Sequence, residues 1–201
     1  MIVILFGAPG SGKGTQAERV AVTTETPHVS TGAILRGEVA RGSEVGREAK
    51  PIMESGALVP DELMVRMIES RLAEPDAERG VILDGFPRTV PQAEALDRML
   101  ARNQRDVGLI LYLEVDAELI RERILRRAAI DGRSDDNPDA LAERMRLYQR
   151  DTAPVVEYYE RAGTRIERID GSPPIDQVTE QILAVLGAPA GHAGGGAETA
   201  R

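Results

Sequence analysis

The chain has 201 residues, 42% of them hydrophobic, which suits one compact domain with a substantial core. Its 25 basic residues are outnumbered by 33 acidic ones, and a net charge of −8 argues against a dedicated nucleic-acid binder. Cysteine is absent, which excludes disulfides, a thiol nucleophile and thiolate zinc sites, and no apolar run approaches the ~20 residues of a membrane span.

Taken in chain order, Ile2–Phe6 is a continuous apolar run without a basic leader, as in a strand covered on both faces and not a signal peptide. The glycine-rich Gly7–Thr15 follows, then a helical pattern whose end, Val20–Pro27, is more β-branched than a helix prefers. Pro27–Ser30 is a weaker strand, and Gly80–Leu83, Val107–Val115 and Thr164–Ile169 complete a set of five. Helical patterns lie between them, so the chain reads as βαβ units forming a parallel sheet. Asn137-Pro138-Asp139 supplies an N-cap, a first-turn proline and a first-turn acid. It predicts a helix to about Arg161, kinked or broken at Pro154. From Gly187 the composition turns to Gly, Ala and Pro without period, so residues 188–201 are expected to form a disordered tail. The expectation for the whole is a soluble, cytoplasmic α/β protein, a monomer by default.

Gly7-Ala8-Pro9-Gly10-Ser11-Gly12-Lys13-Gly14-Thr15 has the Gly-x4-Gly-Lys spacing of a phosphate-binding loop, with Thr one position later than usual. Glycines let successive N–H groups turn inward around a phosphate, and the helix that follows offers its positive end. Gly10, Ser11, Gly12, Gly14 and Thr15 are therefore candidates for the triphosphate. Lys13 would supply a mobile charge to the β- and γ-phosphates. Only two of the 25 basic residues are lysines, and a plain Gly-rich turn leaves this one unexplained. The strand Val81-Ile82-Leu83 ends in Asp84, placed as a carboxylate that holds a magnesium ion through water beside such a loop. Glu114 is a rival, but it sits within its run. His28 is expected to be a packing or surface residue.

The loop alone allows an ATPase, a GTPase or a small-molecule kinase. Gly7–Gln16, Ser30-Thr31-Gly32, Leu58-Val59-Pro60, Leu83-Asp84-Gly85-Phe86-Pro87-Arg88 and Asp151-Thr152-Ala153-Pro154 stand in an order and spacing that resembles the adenylate kinases, from Met1 to about Leu186. That resemblance implies a P-loop three-layer α/β fold with a five-stranded parallel sheet, a small helical AMP-binding insertion and a short lid. It divides a single kinase domain, 1–187, into a core of 1–29, 60–125 and 137–187, an insertion of 30–59 and a lid of 126–136. The lid is too short for the β-structured domain of longer members, and the chain has no cysteines for its zinc cluster, so no zinc is expected.

By the same resemblance the reaction passes the γ-phosphoryl group of ATP to AMP, with magnesium accompanying ATP and no nucleic-acid or membrane partner. The acceptor oxygen is already anionic, so positioning and cations rather than a general base would carry catalysis. The resemblance gives Arg36 and Arg88 to the AMP phosphate, Arg123 to the adenine of ATP and Arg127 to its phosphates. Arg133 and Arg144 would close on the phosphates between the substrates. Lys13, Arg88, Arg127, Arg133 and Arg144 are thus the expected catalytic set, with Pro173 in the loop beside the ATP adenine. The AMP pocket would comprise Thr31, Ala57, Leu58, Val59, Gly85, Phe86, Pro87 and Gln92. A glutamine amide can serve the ring nitrogen and the amino group of adenine together. Kinases of UMP and CMP usually carry Ala and Asn where this chain has Thr31 and Gln92. Ala33 departs from the resemblance, since relatives carry an acid there, and implies thinner outer-shell support for magnesium. Two alternatives stay open: a UMP/CMP kinase, and a nucleotide-binding switch without phosphotransfer.

Overall fold

The computed structural model describes residues 1–131 and 138–188. Five strands, β1 (Ile2–Gly7), β2 (His28–Ser30), β3 (Val81–Asp84), β4 (Val107–Glu114) and β5 (Ile166–Asp170), pair in parallel in the order β2-β3-β1-β4-β5. β1 is central, with one neighbour reached by an earlier crossover and the other by a later one. The strand order therefore reverses beside it, which opens a crevice at the carboxyl ends.

The continuous apolar character of β1 follows from cover on both faces. Ile2, Ile4 and Phe6 join one core, and Val3 and Leu5 the other. Against the second face lie α1 (Lys13–Thr24) and α9 (Ile175–Leu186), through Ala17, Val20, Val178, Ile182 and Leu183. Opposite them stand α2 (Thr31–Arg41), α3 (Glu44–Glu54), α4 (Asp61–Leu72), α5 (Val90–Ala101) and α8 (Ala153–Arg161), contributing Leu35, Ala49, Ile68, Leu96 and Tyr159 among others. The result is three layers. Among the described residues no helix is long and apolar enough to cross a membrane.

All five expected strands form, with ends displaced by one or two residues. The β-branched end of α1 is explained locally: Thr23 and Thr24 donate their hydroxyls back to the carbonyls of Arg19 and Val20, four residues earlier. The helix expected from Asn137-Pro138-Asp139 to about Arg161 needs a correction. After α6 (Ala117–Asp131), α7 (Pro138–Leu147) gives way to a wide π turn at Tyr148–Thr152 before α8 begins at Ala153. The break thus falls ahead of Pro154, which sits in the first turn of α8. A proline there cannot donate to the Arg150 carbonyl and its ring crowds that group, so the preceding turn widens. Asn137 lies outside the described residues. So do 132–136 of the expected lid and all of the expected tail beyond Ala188, which itself packs against the core at the end of α9.

Candidate active site

β1 delivers the chain into the phosphate loop, and α1 starts at Lys13 with Gly12 as its N-cap at φ +97°, a left-handed conformation that favours glycine. Lys13 Nζ donates to the carbonyls of Gly7 (2.7 Å) and Ala8 (2.9 Å), folding over the loop it follows. Burial lowers its pKa to about 8; Asp84 opposes the shift, and the charges of Arg88, Arg144 and Arg127 add to it. These influences place four of the expected catalytic cations, Lys13, Arg88, Arg127 and Arg144, around one cleft with Asp84.

That cleft, about 1200 Å³, is lined by Gly10, Ser11, Gly12, Lys13, Gly14, Thr15, Asp84, Arg123, Arg127 and Pro173 among others, and it has room for a nucleotide. Asp84 ends β3 beside β1, with its carboxylate facing the loop. Burial would raise its pKa, but His28 next to it and the charges of Lys13 and Arg88 outweigh burial and hold it below the usual carboxylate value. Ser30 Oγ donates to Asp84 Oδ2 at 3.4 Å. A Cβ on Gly14 would stand in ordinary contact, 3.4 Å, with the same oxygen, so the start of α1 lies against the carboxylate. Asp84, held ionised with the Ser30 hydroxyl against it, and Thr15 line the same cleft and are hard-oxygen groups of the kind that hold magnesium through its waters. His28 packs beside the site: its Nε2 lies buried 3.6 Å from Asp84 Oδ2 and makes no hydrogen bond among the described residues.

Arg123 takes a position the sequence did not disclose. Its guanidinium donates to the carbonyls of Ser11 (3.3 Å), Gly171 (2.9 Å) and Ser172 (3.4 Å), tying the phosphate loop to the β5–α9 loop that carries Pro173.

A second pocket opens beside the cleft, lined by Thr31, Arg36, Ala57, Leu58, Val59, Gly85, Arg88, Gln92 and Arg144. Phe86 and Pro87 border the larger cleft next to it. Thr31 Oγ1 donates to Gly85 O at 2.9 Å, and Arg88 Nε donates to the same carbonyl at 2.8 Å. Gln92, only 2% exposed, accepts from Arg88 N at 2.7 Å and donates to Asp61 Oδ1 at 2.7 Å. Arg133 alone of the expected site residues lies outside the described residues.

Two residues without an assigned role support this pocket from behind. Asp61 starts α4, directly after the Leu58-Val59-Pro60 motif, and also accepts from Thr89 Oγ1 at 2.7 Å. Thr152, within the Asp151-Thr152-Ala153-Pro154 motif, donates to Arg88 O at 3.0 Å. A motif marked Thr152, while Asp61 falls just outside one; only the long-range contacts show what they hold.

A family model described as adenylate kinase matches residues 5–164. The adenylate kinase of Stenotrophomonas maltophilia (strain K279a) is 46% identical over 186 residues, covering 92% of this chain and 99% of the relative. Those of Xanthomonas euvesicatoria pv. vesicatoria (strain 85-10) and Xanthomonas axonopodis pv. citri (strain 306) are also 46% identical, over 187 residues, covering 93% of this chain and 100% of each relative. With a phosphate loop on a five-stranded parallel sheet and nearly end-to-end similarity to these relatives, the chain belongs to the adenylate kinase family.

Proposed function

We propose that the chain transfers the γ-phosphoryl group of ATP reversibly to AMP, giving two ADP, and so balances the adenine nucleotides. The observation that carries this reading is the gathering of Lys13, Arg88, Arg127 and Arg144 where the large cleft meets the smaller pocket. Two phosphate chains meeting end to end repel, and cations fixed between them favour the transition state, whose charge spreads over the equatorial oxygens.

In this reading ATP lies in the large cleft. The N–H groups of Gly10–Thr15 cradle its phosphates, Lys13 and Arg127 face the β- and γ-groups, and the adenine rests against Arg123 and the loop at Pro173, to which Arg123 is already bonded. AMP lies in the smaller pocket, with its phosphate on Arg36 and Arg88 and its base among Thr31, Ala57–Val59, Gly85 and Gln92. Arg144 lines both pockets, and Arg133, which lies outside the described residues, is assigned to the phosphates between the substrates. The AMP phosphate oxygen attacks the γ-phosphorus in line while ADP leaves. No base is needed, because the attacking oxygen is already anionic. Magnesium, held through water by Asp84, would neutralise charge on the ATP phosphates. One chain furnishes both pockets, which supports a monomeric working unit; a cytoplasmic setting belongs to the same reading. The division into core, insertion at 30–59 and lid at 126–136 belongs to the same reading.

Mixing the protein with ATP, magnesium and each of AMP, CMP, UMP and GMP tests it. AMP should be preferred over CMP and UMP by on the order of 10²-fold in kcat/KM, about 3 kcal/mol of discrimination. Equal or faster turnover of CMP or UMP would turn the reading to a pyrimidine kinase, and no transfer at all would leave a nucleotide-binding switch.

A further inference from the structure

Gln92 is buried, and its amide is half used. Oε1 accepts from the backbone N–H of Arg88, and one Nε2 hydrogen goes to Asp61 Oδ1. A primary amide has two N–H donors and two oxygen lone pairs, so one of each is left, side by side. Their order is fixed. Arg88 N can only donate, and an ionised carboxylate can only accept, so a flipped amide would face donor with donor and acceptor with acceptor. Asp61 is held in turn: its second oxygen accepts from Thr89 Oγ1, and that hydroxyl accepts from Gln92 N at 3.2 Å to cap α5. Gln92 lines the pocket and Asp61 stands behind it.

We propose that Asp61 is a positioning residue for acceptor choice, holding the Gln92 amide so that the pocket offers a purine edge an N–H donor next to an oxygen acceptor. Adenine carries an acceptor ring nitrogen beside an amino donor and matches that order. Hypoxanthine and guanine have the same ring size but carry a donor N–H beside an acceptor oxygen, the reverse order. The arrangement therefore selects 6-amino over 6-oxo purines, with the wrong base leaving buried polar groups unpaired. The proposal rests on the reading of this pocket as the AMP site.

An acid at the first position of a helix also favours the helix dipole, so the test must read more than stability. Asp61→Asn keeps size and can donate or accept, which removes the carboxylate's part of the directional constraint and leaves only that of Arg88 N, without removing the anchor. Asp61→Ala removes both. With ATP saturating, kcat/KM is measured for AMP and IMP in the full chain and both variants. The preference for AMP over IMP should fall at least tenfold in Asp61→Asn, with the KM for ATP unchanged. In Asp61→Ala it should fall as far, and the KM for AMP should rise as well. Folded variants that keep the wild-type preference would overturn the role of Asp61 while leaving the acceptor reading in place. A wild-type chain that takes IMP as readily as AMP would overturn both, and one that prefers CMP or UMP overturns the acceptor reading by itself.

Discussion

Thr152 and Arg88 lie 64 positions apart and are joined by one hydrogen bond, Thr152 Oγ1 donating to the Arg88 carbonyl oxygen at 3.0 Å. The Arg88 N–H is taken by Gln92 Oε1, so both backbone polar atoms of this residue are held by side chains from different helical segments. Its guanidinium then leans on Gly85 O through Nε. Thr152 is buried at the end of the π turn that follows α7, the helix carrying Arg144. Arg88, assigned to the AMP phosphate, is thus tied to the turn that follows the helix carrying Arg144, assigned to the phosphates between the substrates.

Thr152→Val keeps the side chain's shape and removes the donor, leaving the carbonyl unpaired at a cost of about 1–3 kcal/mol. The kcat/KM for AMP should fall on the order of tenfold, while the KM for ATP stays within about twofold. Thr152→Ser, which keeps the hydroxyl, should recover most of the loss. Steady-state kinetics with each nucleotide varied in turn separates the two effects.

Gly56 gives a prediction about stability. It sits in the α3–α4 connection at φ +77°, and a Cβ there would come within 2.4 Å of the Ala140 carbonyl oxygen on α7. Gly163, at φ +76°, has nothing within 4 Å of the same imagined atom. Both alanine variants carry backbone strain of roughly 1–3 kcal/mol, but only Gly56→Ala adds a backbone clash. Its thermal midpoint should drop by about 5 °C or more, clearly beyond that of Gly163→Ala. Thermal unfolding of the two variants beside the wild type decides it; equal losses would mean that α7 yields freely to the connection.

What the sequence discloses follows the range of the interactions. The phosphate loop is legible because glycines, strand and helix start lie within fifteen residues and answer to local backbone geometry. β1 and the Val81–Leu83 run of β3 are legible because both faces of the sheet are covered there, so their apolar runs are unbroken. The π turn at Tyr148–Thr152 is not, because a proline signals that a helix is disturbed without fixing where the slack is taken up. Here it lies upstream, where Thr152 reaches Arg88 and the Tyr148 hydroxyl meets that of Tyr112 on β4 at 3.0 Å. Asp61 reads as an ordinary first-turn acid of α4, since its partners Thr89 and Gln92 lie 28 and 31 residues ahead. Arg123 shows the opposite limit. Motif correspondence assigned it to a ligand, while its bonds to three carbonyls on two loops give it a structural task that no motif records.

Lys13→Ala should lower turnover by roughly 10³-fold or more, since a charge next to the transferred phosphoryl group loses its partner. The loop should survive, because its geometry depends on glycines and on backbone bonds such as Ser11 N to Ala8 O at 3.0 Å. Circular dichroism and ADP formation measured on the same preparation test both halves. A variant keeping more than a tenth of normal turnover would count against the phosphate-loop assignment.

The same lysine sets a pH dependence. Burial, with Arg88, Arg144 and Arg127 adding to it against the pull of Asp84, brings its pKa from 10.5 to about 8 in the nucleotide-free protein. Since kcat/KM reports groups of the free enzyme, kcat/KM for ATP should decline above about pH 8 as the ammonium loses its proton. Bound phosphates favour the charged form, so the matching limb in kcat should lie at higher pH. Lys13→Arg, slower but always charged, should show no such limb. Stability moves the other way. The folded-state pKa is depressed, so between about pH 8 and 10.5 the unfolded chain holds a proton that the folded one has released, and this group's contribution to stability rises with pH. A decline in kcat/KM above pH 8 without a fall in thermal midpoint is therefore the expected pair of results. A parallel fall in both would assign the limb to unfolding instead of to Lys13.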